Sequence, residues 1–246
     1  MENTWLVSLG LFAFLIAYAI YMLFAYRVDP RYSLLYKKTP SFRRLLWLPS
    51  LEKSILLLLL AVLALVPHRN LFTVFNLGTL QFTFYAVVFG ILSGILIFSG
   101  GLPVNFLIST VRHRFSVQQT RREVELSRLL AGSMSKPPSH FFLNVFFASV
   151  CAAVLEEIIF RGYLLGHLLY FVPPIDAVVV QAMFAFVPQL YQGVYNGLLS
   201  LYGSLLFGLV FIVSGSLLAA ILAHFTQEVI GFAFTFSSAR KKKTGL

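Results

Sequence analysis

The sequence predicts an all-α, polytopic membrane protein, a bundle of about seven transmembrane helices. Three observations predict it. Of 246 residues, 59% are hydrophobic and only 11% are charged, against about a quarter charged in a soluble domain. The apolar residues gather in runs too many and too long for a soluble core. The basic residues fall in blocks between those runs, as membrane topology demands.

The runs predict spans at 4–26, 52–67, 77–99, 141–163, 174–190, 196–213 and 216–236. Two of them, 52–67 and 174–190, are short for a hydrocarbon core of about 30 Å. The first run lacks a basic start and a small-residue cleavage site, and it is long enough to span, so it reads as a helix rather than a cleavable signal. Trp5, Trp47 and many Phe and Tyr lie near run ends, where an aromatic belt forms. Gly90 and Gly94 make a small-xxx-small pair, which predicts close contact with another helix.

The charges predict an orientation. Arg27, Arg31, Lys37, Lys38, Arg43, Arg44 and Lys53 fill the first connection, and Arg112, Arg114, Arg121, Arg122, Arg128 and Lys136 fill the third. With Arg240 to Lys243 in the tail, 17 of the 19 basic residues share one side of a seven-span protein, leaving Arg69 and Arg161. The C-terminus is then cytoplasmic and the N-terminus outside. The net charge of +10 follows from this placement and needs no nucleic-acid partner. The polar connection 101–139 is expected to be partly helical. Residues 1–140 read as spans and basic loops, 141–236 as the functional core, and 237–246 as a basic tail. The lone Cys151 excludes an intrachain disulfide and a Cys-based metal cage.

Chemistry concentrates in the C-terminal spans. Glu156 and Glu157 are adjacent inside a greasy run, VLEEIIFRGYLL. Each acid costs several kcal/mol in lipid, roughly, so such a pair persists only where it faces protein or trapped water. Glu157 and Arg161 are i,i+4 and can pair, as can His224 and Glu228. Glu156 projects about 100° away from Glu157, toward a different partner. A carboxylate beside water in a low-dielectric pocket can act as a general base, and an imidazole can hold that water or a developing oxyanion. Plainer roles compete: Arg161 could snorkel, His224 could make an ordinary interhelical hydrogen bond, and Glu228 could be neutral and packed.

The segment EEIIFRG resembles the EExxxR motif of the CPBP family of intramembrane proteases. These are the type II CAAX prenyl endopeptidases and their bacteriocin-processing and self-immunity relatives. GSLLAAILAHFTQEV, residues 215–229, is similar to the family's last motif, a His followed four residues later by Asn or Asp. FAFVPQLYQGVYNGLL is similar to its middle motif, Phe-x-x-x-His. The resemblance implies a CAAX-protease-like core over 141–236. It implies that Glu156 activates the attacking water, that Glu157 and Arg161 shape the site, and that His224 and Glu228 hold the water or oxyanion. The middle motif departs here: Gln189 stands where the family has its His on the Tyr191-Gln192-Gly193 alignment, and Pro188 on the Phe184 alignment. Gln189 can donate a hydrogen bond but cannot exchange a proton near neutral pH.

The expected function is a glutamate-dependent intramembrane endopeptidase in a bacterial cytoplasmic membrane. The substrate is a peptide or membrane protein, and the resemblance implies a prenylated one. Two rivals are a family member that binds peptides or lipidated tails without cutting them, and a proton-coupled transporter. Duplicated halves, the mark of many transporters, are not visible. No cofactor is required by the residue set, which leaves a divalent metal open.

Overall fold

A computed structural model describes residues 9–20, 53–60, 62, 74–110, 138–187, 189 and 194–244. Helices dominate, and among the described residues there is no strand. Helix α1 is Leu9–Ile20 and α2 covers 53–60. A 3₁₀ turn at Leu77–Thr79 leads to α3, Phe84–Thr110. Helix α4, Pro138–Glu157, passes directly into a π-helix at Ile158–Leu165 and a last α-turn at Gly166–Leu168. Then come α5 (Pro174–Phe186), α6 (Val194–Ser214) and α7 (Leu217–Thr244).

Three of these are long and apolar enough to cross a bilayer: Phe84–Ile108, Val194–Ser214 and Leu217–Phe234. Leu9–Ile20 and Pro174–Phe186 are shorter apolar helices. Several expected boundaries move. The span expected at 77–99 starts only at Phe84, after a 3₁₀ turn and a non-helical stretch, and it runs on to Thr110. The helix expected at 174–190 ends at Phe186. The run around the glutamates is longer than 141–163: it is helical from Pro138 to Leu168, so Glu156 and Glu157 lie well inside it. The chain turns only at 169–173, ahead of Pro174 at the start of α5. Helix α7 carries the basic tail as continuous helix to Thr244. The basic connections 21–52 and 111–137, with Trp5, Trp47 and Arg69, lie outside the described residues.

Helix α7 is the hub, packing against α3, α4, α6 and the π-helix. The tightest approach is to α3. A Cβ added at Gly90 would sit 2.7 Å from the Ala219 carbonyl oxygen, and one at Gly94 would sit 2.5 Å from that of Ala223. The glycine pair is thus the notch into which α7 fits, as small-xxx-small spacing predicts. A turn at Ser214-Gly215-Ser216 folds α7 back on α6, and Ser216 Oγ accepts from the Ala219 N–H as its cap. On the other side, α1 docks through Phe14 and Tyr18, whose hydroxyl donates to the Phe184 carbonyl at 2.7 Å. Large apolar side chains on α3, among them Leu92, Leu96, Phe106 and Leu107, point outward, as lipid contact requires.

Candidate active site

The site grows from the point where α4 becomes a π-helix. Widening the helix here sends the Gly166 N–H back to the Arg161 carbonyl, five residues away, and Asn76 Nδ2 donates to the Gly162 carbonyl at 2.9 Å. Asn76 adopts φ 50, a left-handed conformation that Asn tolerates. A Cβ at Gly166 would overlap the Asn76 amide, so the glycine is required for this contact. Single π-segments inside α-helices occur often at functional sites.

Glu157 is fully buried. Its Oε1 accepts from Arg161 Nη1 at 2.9 Å and faces His224 Nδ1 at 2.8 Å. Arg161 is 1% exposed, so it does not snorkel. Its Nη2 donates to the Ser204 carbonyl at 2.7 Å and to Ser204 Oγ at 3.0 Å. Ser204 Oγ also accepts from Gln181 Nε2 at 3.0 Å. Phe207 joins Arg161 and His224: its ring stacks on His224 with centroids 4.6 Å apart and lies 5.4 Å from the guanidinium carbon. Helices α4, α5, α6 and α7 therefore meet in one polar network.

Glu156 points elsewhere, as the 100° step predicts. Its side chain is 16% exposed, and its Oε1 pairs with Lys53 of α2. Its Oε2 lies 4.0 Å from His224 Nε2, which is also 3.6 Å from Glu228 Oε1. With Nδ1 committed to Glu157, Nε2 is the nitrogen that meets the open side of the cluster. A 4.0 Å gap exceeds a hydrogen bond and accommodates one bridging oxygen.

Five of the six expected site residues thus converge: Glu156, Glu157, Arg161, His224 and Glu228. Gln189 is half-buried just beyond the end of α5; Pro188 and 190–193 lie outside the described residues. Sequence reasoning missed Lys53, Ser204, Gln181, Phe207 and Asn76 as members. Gln181 and Ser204 carried a signal, being polar groups inside apolar helices, whereas Lys53 read as a topology charge.

A divalent cation would have to share Glu156 with Lys53 and Glu157 with Arg161. Among the described residues no group of three His, Cys, Asp or Glu side chains is arranged to hold one.

No curated protein and no solved structure matches the chain. Residues 138–230 match the family model for type II CAAX prenyl endopeptidase Rce1-like proteins. That stretch runs from the first residue of α4 past Glu228, covering every member of the site but Lys53 and Asn76. Segment 138–230 is thus similar to this protease family, in a chain whose long apolar helices mark it as an integral membrane protein.

Proposed function

We propose that the protein is a glutamate-dependent intramembrane endopeptidase in which Glu156 is the general base. One observation carries the choice. Of the two adjacent acids, Glu157 is buried and held by Arg161 and His224, whereas Glu156 retains exposure and presents Oε2 to His224 Nε2. Only the second arrangement leaves a carboxylate oxygen where water and a peptide can meet it.

In the proposed reaction Glu156 takes a proton from water, and the resulting hydroxide attacks the scissile carbonyl carbon. The oxyanion is stabilised by a proton on His224 Nε2, with the Gln189 amide as a further donor. As the C–N bond breaks, Glu156 returns its proton to the leaving nitrogen. Glu157 holds the imidazole from behind, fixing which nitrogen faces the reaction, as the acid of a hydrolytic triad does. Arg161 and Glu228 shape the cluster. The substrate is a peptide segment at a membrane, and the family match favours a prenylated tail. The setting proposed is a bacterial cytoplasmic membrane with the C-terminus inside. A reporter fused after Leu246 is expected to read as cytoplasmic, and a periplasmic signal defeats that orientation.

The test is cleavage of candidate peptides in liposomes by wild type, Glu156→Gln and Gln189→His. Glu156→Gln is expected to abolish turnover. Gln189→His is expected to raise it, by up to the roughly 10²–10⁴-fold of a positioned acid–base group. Equal cleavage by wild type and Glu156→Gln eliminates the mechanism. The second reading is a family member that binds peptides without cutting, favoured by Gln189 at a position where the resembled motif has His. Cleavage absent in wild type and gained in Gln189→His would establish it.

A further inference from the structure

The charges around Glu156 do not balance within the family-matched segment. Three carboxylates, Glu156, Glu157 and Glu228, surround His224 within 4.0 Å. The one guanidinium at hand, Arg161, is bonded to Glu157 and Ser204. Among the described residues, the only Lys or Arg paired with Glu156 is Lys53, which lies 103 positions earlier and outside 138–230. Lys53 belongs to a block of seven basic residues that topology alone would leave in water, yet its side chain is only 14% exposed. Withdrawing an ammonium from water is unfavourable unless it gains a partner, and the carboxylate supplies one.

The pairing is also asymmetric. Lys53 takes Oε1, and Oε2 is the oxygen turned to His224 Nε2. We propose that Lys53 is a positioning residue of the site: its ammonium clamps one oxygen of Glu156 so that the other alone is presented to His224 and the reacting water. The segment 138–230 is then incomplete by itself, because α2 supplies the cation that orients its base. The catalytic half of this statement rests on Glu156 acting as proposed above. The clamp itself does not.

The experiment uses the full chain in lipid nanodiscs, with Lys53→Met, Glu156→Gln, the double variant and Lys53→Arg. Thermal unfolding of the first three forms a double-mutant cycle. The double variant is expected to melt no lower than the worse single one, since one interaction is lost in all three. Additive losses overturn the clamp. In peptide cleavage, Lys53→Met is expected to lower kcat by roughly 10²-fold, the scale of a misplaced reacting group, with KM unchanged. Lys53→Arg is expected to keep most of the rate. Wild-type kcat in Lys53→Met, beside an inactive Glu156→Gln, overturns the positioning role. If wild type and Glu156→Gln cleave equally or not at all, the protease mechanism falls, and the cycle alone upholds or overturns the clamp.

Discussion

Glu156 and Glu157 are neighbours in the chain and opposites in the fold. Glu157 faces inward, with no exposure, into a network that ties α4 through Arg161 to Ser204 of α6 and Gln181 of α5. Glu156 faces an open rim whose members, Lys53, Glu156 and Glu228, are 14%, 16% and 25% exposed. One step of 100° around a helix separates a carboxylate that organises the bundle from one that can meet a substrate. The adjacency is economical, because the ion pair that holds the first acid also sets the helix face of the second.

If that contrast is right, the inner network fails first under substitution. Arg161→Met leaves Glu157 buried without its cation. The expected loss is about 3–5 kcal/mol, the usual cost of breaking a buried pair by removing one partner. Unfolding in mild detergent would measure it, and the double variant Arg161→Met, Glu157→Leu is expected to recover part of the loss. A stable, fully active Arg161→Met would erase the distinction between inner and outer layers.

Next in size is the notch that seats α7. Gly94→Ala forces a methyl to within 2.5 Å of the Ala223 carbonyl, beside His224. Overpacking of this kind costs about 1–3 kcal/mol. Because the strain falls next to the imidazole, cleavage is expected to drop more than stability does. Proportional losses in both would detach the α3–α7 contact from the site.

Ser204→Ala removes one acceptor shared by Arg161 and Gln181, while the backbone carbonyl bond to Arg161 survives. The expected cost is about 1–3 kcal/mol, that of a buried polar group left unmet. The smallest effect is expected at the rim. Glu156→Gln changes a partly exposed pair, so it is expected to cost within about 1 kcal/mol of stability while abolishing turnover. A large destabilisation there would make Glu156 a second structural acid.

Much of the site was legible in the chain. Adjacent acids in an apolar run, and i,i+4 pairs at Glu157–Arg161 and His224–Glu228, follow from helical geometry, which acts over one turn and needs no tertiary knowledge. The notch at Gly90 and Gly94 was legible for the same reason: two small residues one turn apart leave room for something. Helix ends were less so, because hydropathy reports apolar character and not backbone hydrogen bonding. Hence the run 77–99 began at Phe84, and the glutamate helix ran on through a π-segment that no periodicity announces.

By itself, then, the sequence determined a helical membrane protein and the residue types able to carry its chemistry. Burial of apolar runs in lipid and the cost of stranded charge operate on composition and short spacing alone. The tertiary structure decided which acid is held and which is exposed, since that depends on what α6, α7 and α2 bring to each face of α4. It also decided that Lys53, an unremarkable member of a basic block, meets Glu156 across 103 residues. A pairing of that range is set by helix packing, because electrostatic attraction in a low-dielectric interior acts on whatever charge the packing brings near.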